Sequence, residues 1–242
     1  MKWPRRSTSA DHRVAWLTAS WCLEYPDETL LGRIPLVGSA LDEQTDHPSI
    51  RGLLRFLDHL GSSTLGELID DYVDTFDLSR KQTLYLSYWT DGDTRRRGSA
   101  LGEFKTLYRD SGHLVDLHGE LPDHLPIVLE FAARVDPAAG ARVLEKYRPA
   151  LELIRFALQD RRSPYTDVLA AICSTLPGES PADQRAAQSV GTEDRHRSAL
   201  DASPISSHPS SEHLYPCLTV SYGSRRPWRE SLIISSHGDL TV

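Results

Sequence analysis

The feature that most limits the fold is a pattern repeated along the first 176 residues: a capping residue or proline, an apolar stripe at helical spacing, then a short polar break. His47-Pro48-Ser49 opens a segment with Ile50, Leu53, Leu54 and Leu57 on one face, and Gly61 closes it. Thr64 and Glu67 form a capping box ahead of Leu65, Leu68, Ile69, Tyr72, Val73 and Phe76. Further stripes are Val14, Leu17 and Trp21; Leu84, Tyr85, Tyr88 and Trp89; Leu101, Phe104, Leu107 and Tyr108; Ile127, Val128 and Phe131; Leu151, Ile154 and Leu158; and Val168, Leu169 and Ile172. Pro126, Asp136-Pro137 and Ser163-Pro164 are start signals. No stretch up to Leu176 alternates with period two, and Asp-Gly or Asn-Gly hairpins between β-branched runs are missing. The pattern predicts an all-α fold, a single helical-bundle domain over 1–180.

A second region breaks the pattern. The first 176 residues hold 13 serines and the last 66 hold 13 as well, with Pro, His and Gly between them and no helical stripe. Residues 181–242 therefore read as a Ser/Pro-rich, disordered tail. Within it LTVSYG and SLIISS are short β-prone runs able to pair with an existing edge.

Charge and cysteine usage narrow the function. Twenty-seven Lys and Arg against 34 Asp and Glu give a net charge of -7, which argues against a broad nucleic-acid surface. Cys22, Cys173 and Cys217 are distant and unpaired in spacing, which suggests neither a disulfide framework nor a zinc knuckle and fits a reducing cytoplasm. Arg5-Arg6 suggests an export signal, yet Asp11, His12 and Arg13 fall where an uncharged segment should begin. No run of about 18 apolar residues predicts a membrane span. No G-x-S-x-G, glycine-rich phosphate loop or HExxH is present, so no catalytic machinery is indicated. His113, His118 and His124 with Asp116, Glu120 and Asp123 have metal-ligand chemistry, but their spacing matches no helical face, and a solvated loop is the better reading.

Three words carry more polarity than helix building requires. Glu120-Leu121-Pro122-Asp123-His124 places two acids and a histidine before a helix that one capping residue would start. Arg95, Arg96 and Arg97 follow Asp93-Thr94, so three cations stand in a first turn, where they oppose the helix dipole. Tyr72 and Phe76 read as core, while Asp74 and Asp77 sit at a helix C-terminus, also against the dipole. Opposed sets of badly placed charges are the sequence signature of a polar recognition groove.

The words DYVDTFDLSRKQTLYLSYWTDGDTRRRGSALGEFKTLY and ELPDHLPIVLEFAA, in this order and separation, resemble the nitrate reductase delta subunit family of NarJ chaperones. The likeness covers about residues 12–180. It implies a cytoplasmic all-helical chaperone that is not an enzyme. The expected client is the catalytic alpha subunit of respiratory nitrate reductase, bound through its N-terminal peptide. The apoprotein would be kept open for insertion of the molybdenum bis-guanine-dinucleotide cofactor, and early membrane docking would be prevented. The chaperone itself would hold no cofactor stably, bind no nucleic acid, insert in no membrane, and act as a monomer or weak dimer. Carried onto this chain, the family's words mark Tyr72, Phe76, Asp77, Glu120, Pro122, Asp123 and His124 as client-binding, beside Arg95, Arg96 and Arg97 from the charge argument. The prolines would present Glu120, Asp123 and His124 at one end of a groove, so alanine at Asp123 and His124 should weaken binding without lowering stability. A helical module or chaperone serving a different molybdenum oxidoreductase is the alternative. After about Asp183 the chain departs from the family.

Overall fold

The computed structural model describes residues 11–78, 82–92, 94–117, 119–184, 187 and 234–235. In chain order the helices are α1 (Arg13–Cys22), α2 (Glu28–Asp42), α3 (Pro48–Ser62), α4 (Leu65–Tyr72), α5 (Leu86–Asp91), α6 (Arg95–Asp110), α7 (Leu125–Arg134), α8 (Pro137–Lys146), α9 (Arg148–Asp160) and α10 (Tyr165–Ser174). A single π-helical turn, Val73–Asp77, prolongs α4, closed by the Leu78 amide donating to the Val73 carbonyl at 2.9 Å.

The capping chemistry acts as the sequence predicts. Thr64 and Glu67 make the reciprocal capping box of α4. Asp136 accepts from the Ala139 amide at 2.8 Å to start α8. Pro48 occupies the first turn of α3, where a missing N–H costs nothing.

At the centre lies α1, packed against α7, α10, α2 and α3. The stripe Val14, Leu17 and Trp21 is only half-buried there, and the fully enclosed side is Ala15, Trp16, Ala19 and Cys22. Small residues on that side allow close approach, and Ser20 Oγ ties α1 to α7 by donating to the Pro126 carbonyl at 2.8 Å. Elsewhere the predicted stripes are the core. Leu151, Ile154, Leu158, Val168 and Leu169 have no exposed surface, and each such side chain contributes roughly 1.5–3 kcal/mol by leaving water.

Two helix pairs meet at glycines. A Cβ on Gly140 would lie 2.3 Å from the Ala132 Cβ, so α8 touches α7 backbone to backbone. On Gly52 it would lie 3.0 Å from the Asp167 carbonyl, where α3 meets α10.

Beyond the buried side of α1, the structure adds to or alters the sequence reading at three more places. Residues 28–42 form a helix although Pro35 stands inside it; Asp27 caps the start, accepting from the Leu30 amide at 2.7 Å. Leu84 and Tyr85 are extended rather than helical, leaving α5 only six residues long. A two-residue strand, β1 (His113–Leu114), pairs antiparallel with β2 (Ile234–Ser235) inside the SLIISS run. The rest of the expected tail from 188 onward lies outside the described residues. Ala187 is described and buried, its amide donating to the Asp183 carbonyl at 3.2 Å.

Candidate functional site

The 120–126 word runs beside residues 84–87, which are extended at Leu84 and Tyr85 and enter α5 at Leu86. The Leu125 amide donates to the Leu84 carbonyl at 2.9 Å and the Leu86 amide to the Asp123 carbonyl at 3.1 Å, a two-bond antiparallel bridge pairing Tyr85 with His124. The bridge holds the start of α5 against residue 123, so that Asp123 meets Ser87.

Asp123 is completely buried, and its Oδ2 accepts from the Ser87 amide at 2.9 Å and from Ser87 Oγ at 2.5 Å. The amide of Ser87 is one of the orphan donors at the start of α5, whose own N-cap residue, Tyr85, supplies no side-chain bond. Asp123 is thus a capping residue delivered from 36 positions away. Asp123, expected among the client-facing groups, has its carboxylate turned to the interior, where it holds the local frame.

The neighbouring groups complete that frame. Tyr108 on α6 donates its hydroxyl to the Pro122 carbonyl at 2.7 Å, and burial together with the Asp123 charge pushes its pKa well above the ordinary phenol value. Pro122 itself is buried. The Tyr85 hydroxyl donates to the Glu120 carboxylate, and the Tyr85 ring stands 5.2 Å from that of His124.

Arg97 closes the corner from α6. Its guanidinium lies 5.9 Å from the Tyr85 ring centre and 5.8 Å from that of Tyr88, and its Nε donates to Ser87 Oγ at 3.4 Å. Asp123, Ser87 and Arg97 therefore form one polar chain from the interior to the surface. Arg95 and Arg96 are exposed in the same first turn. Thr94, the N-cap of α6, makes no cap bond and donates to the Asp91 carbonyl at 2.8 Å instead; Asp93 lies outside the described residues.

Of the residues expected to bind, Arg97, Glu120, Pro122, Asp123 and His124 are brought together at this corner. Tyr72, Phe76 and Asp77 belong to a different neighbourhood. Tyr72 is buried, donating its hydroxyl to the Leu23 carbonyl at 3.3 Å, and its ring meets Tyr25 at 5.4 Å and Phe76 at 5.0 Å. Phe76 meets Tyr165 edge-on at 4.8 Å. Asp77 is half-buried at the end of the π-helical turn, and Asp74 is ion-paired with Arg161.

Sequence reasoning missed Ser87, Tyr85 and Tyr108. Each contacts a partner more than ten positions away, and no local pattern encodes that. For the metal alternative, no cluster of three or more His, Cys, Asp or Glu side chains arises among the described residues, and His118 lies outside them. Among those residues no helix is long and apolar enough to cross a membrane.

Comparison with known proteins places this geometry in context. Residues 41–171 match the model of the nitrate reductase delta subunit family. Over 162 residues the chain is 42% identical to the nitrate reductase-like protein NarX of Mycobacterium tuberculosis H37Rv, a match covering 67% of this chain and 24% of NarX. The chain thus spans about a quarter of the length of that relative. It is 32% identical over 168 residues to the probable nitrate reductase molybdenum cofactor assembly chaperone NarJ of Bacillus subtilis, covering 69% of this chain and 91% of that one. Its fold is similar to the crystal structure of a candidate redox enzyme maturation protein from Archaeoglobus fulgidus, with a TM-score of 0.54, 21% identity and coverage of 70% of this chain and 96% of the other.

Proposed function

This chain belongs to the nitrate reductase delta subunit family, and from that premise we propose that it is an assembly chaperone, not an enzyme, for a molybdenum-dependent nitrate reductase. The observation that carries the reading is the overlap with 91% of a relative named as such a chaperone. The client is the catalytic alpha subunit, engaged through its N-terminal peptide in the cytoplasm. The molybdenum bis-guanine-dinucleotide cofactor enters the client, while the chaperone holds the apoprotein open.

The polar corner supports a binding role of this kind. An amphipathic client helix lays its apolar face on the chaperone, and charged rim groups read its ends. Arg95 and Arg96, exposed at the start of α6, with Arg97, Glu120 and His124 behind them, supply such a rim. Beneath it Asp123 and Ser87 hold Arg97, Tyr108 holds Pro122, and Tyr85 holds Glu120. Occupation then excludes other partners. A peptide needed for both chaperone binding and membrane docking cannot serve both at once, and folding of the client removes the bound conformation.

Calorimetric titration with a synthetic peptide of the N-terminus of the nitrate reductase alpha subunit from the same genome tests the reading. Saturable binding with a negative heat-capacity change is expected. Absence of binding by folded protein, with capture of a different molybdenum oxidoreductase in its place, would transfer the role to that client.

A further inference from the structure

A cleft of about 750 Å³ opens between the start of α1, one face of α8 and the chain at 175–177, and it shares no residue with the polar corner. We propose that this cleft is covered in cis by the chain's own residues 2–6, Lys2-Trp3-Pro4-Arg5-Arg6, with Trp3 and Pro4 against its apolar interior and the cations at its acidic mouth. The proposal does not depend on the identity of the client, and it gives Arg5-Arg6 a role within the folded chain.

Three observations carry it. The first is where the segment joins the body. Asp11, the first described residue, itself lines the cleft. It is fixed there: Oδ1 accepts from the Arg13 amide at 3.1 Å, and the carboxylate grips the Arg13 guanidinium with Nε to Oδ1 at 3.0 Å and Nη2 to Oδ2 at 2.7 Å. The ten residues before Asp11 are therefore tethered at the mouth. The eight residue steps from Trp3 to Asp11 span up to about 28 Å, long enough to turn back into the cleft. A segment tethered so closely acts at an effective concentration on the order of millimolar, an advantage that no free ligand has.

The second is the chemistry of the interior. Trp16 is buried there, and its indole N–H already donates to Thr175 Oγ1 at 2.9 Å, so what it offers an occupant is hydrocarbon. Pro137, Ala138 and Ala141 of α8 line one side, and Leu176 and Pro177 the other. The second side is fixed in advance by Arg148, which donates to the carbonyls of Pro177 and Gly178, the latter at 3.1 Å, and is steadied by the buried Glu152 carboxylate at 3.7 Å. Trp3 is the only aromatic residue among positions 1–10, and Pro4 follows it. An indole and a proline ring bury a large apolar area with few rotatable bonds to freeze.

The third is charge. Residues 1–10 hold three cations, Lys2, Arg5 and Arg6, and no acid. Among the side chains lining the cleft, Asp11 and Arg13 neutralise each other. Burial and the nearby His47 lower the pKa of His12, leaving its ring neutral at neutral pH. Glu145 is exposed and has no ion-pair partner among the described residues, so the lining carries a net negative charge that complements the segment.

The test is brief trypsin digestion of the native full chain, following by mass spectrometry the N-terminal fragments that end at Arg5 or Arg6. Cleavage there tracks how often the segment leaves the cleft. Ala138 and Glu145 are both exposed, so Ala138→Trp fills the cleft and Glu145→Lys reverses its charge without disturbing the core. Trp3→Ala and Ala138→Trp should each speed cleavage about tenfold and Glu145→Lys severalfold, with the melting temperature of the wild type. Trp3→Ala leaves the described body unaltered, so it decides the matter even where Ala138→Trp perturbs α8. A synthetic peptide of residues 1–10 should bind the Trp3→Ala chain saturably and fail to bind Ala138→Trp. Equal cleavage in all four proteins would overturn the proposal. Protection that grows with protein concentration would assign the cleft to the segment of a second copy and overturn the contact in cis. Faster cleavage of the wild type when the alpha-subunit peptide is added, with loss of that peptide's affinity for Ala138→Trp, would assign the cleft to the client and overturn it as well.

Discussion

The aromatic end around Tyr72 and the polar corner around Asp123 are stabilised in opposite ways. At the aromatic end Tyr72, Phe76, Tyr165 and Phe56 meet with ring centres 4.8–6.2 Å apart, and contacts of this kind depend on volume more than on any one atom. At the corner a single buried carboxylate satisfies two donors of Ser87, and a single hydroxyl ties α6 to Pro122. Removing one atom there strands its partner. The density of polar residues in the sequence is thus no guide to exposure: Asp123 is consumed by the frame, whereas Arg95 and Arg96 are left exposed.

The largest effect should come from adding an atom to the close-packed part. Gly140→Ala replaces a poor helix former by a good one, which alone would stabilise α8 by about 1 kcal/mol. The new methyl, however, would fall 2.3 Å from the Ala132 Cβ and 2.4 Å from its Cα, so the two helices must separate. A net loss of about 3 kcal/mol is expected, read as a fall in melting temperature of roughly 6–12 °C. An unchanged or raised melting temperature would show that the α7–α8 joint is loose, and the contrast with the corner would be lost.

Asp123→Ala probes the corner next. It leaves the Ser87 amide and hydroxyl buried without an acceptor, at a cost of about 2–3 kcal/mol. Asp123→Asn keeps one oxygen and should recover part of this in chemical denaturation, while His124→Ala, at a half-exposed position, should change stability little. Equal stability of wild type and Asp123→Ala would return Asp123 to the client-facing role that its sequence position suggested.

How much was legible beforehand follows from the range of each interaction. Caps and stripes act within four residues, so α3, α4, α6, α8 and α9 could be read directly from Pro48, the Thr64–Glu67 box and the apolar spacings. Helix α2 was hidden because Pro35 argues locally against a helix, and packing on α3 and α1 outweighs that. The side of α1 that is buried was misread because Ala15 and Ala19 are small, and apolar patterning favours large residues such as Leu17 and Trp21. At the corner the word at 120–124 was visible as unusual, but its use was not. Asp123 meets Ser87 only because residues 84–87 lie beside it, and one sequence does not state that pairing.

A smaller effect, of opposite sign, is expected at Glu24, between α1 and α2. Burial and the nearby Glu130 raise its pKa from 4.5 to about 8, against the pull of Arg33. The unfolded chain loses this proton near pH 4.5 while the folded chain keeps it to about 8, so the folded state binds more protons across that window. Stability must therefore fall as pH rises from 4.5 to 8. Glu24→Gln removes the slope and should be the more stable protein above pH 8, by about 2 kcal/mol after allowance for solvent access. Urea denaturation at the two ends of the window measures it; parallel curves for the two proteins would place Glu24 in water.

The finest comparison sets one hydroxyl from each region side by side. Tyr108 donates to the Pro122 carbonyl at 2.7 Å, a short bond between buried groups. Tyr72 donates to the Leu23 carbonyl at 3.3 Å, a long one. Replacing tyrosine by phenylalanine preserves the ring in both places, so aromatic packing is held constant and the hydroxyl alone is tested. Tyr108→Phe strands a well-bonded carbonyl and should cost about 1.5 kcal/mol, whereas Tyr72→Phe should cost about 0.5 kcal/mol. The melting temperatures of the two variants, measured at one pH, decide the matter. A Tyr72→Phe loss as large as that of Tyr108→Phe would mean that the aromatic end also depends on individual hydrogen bonds, and that the two regions differ in composition but not in how they are held.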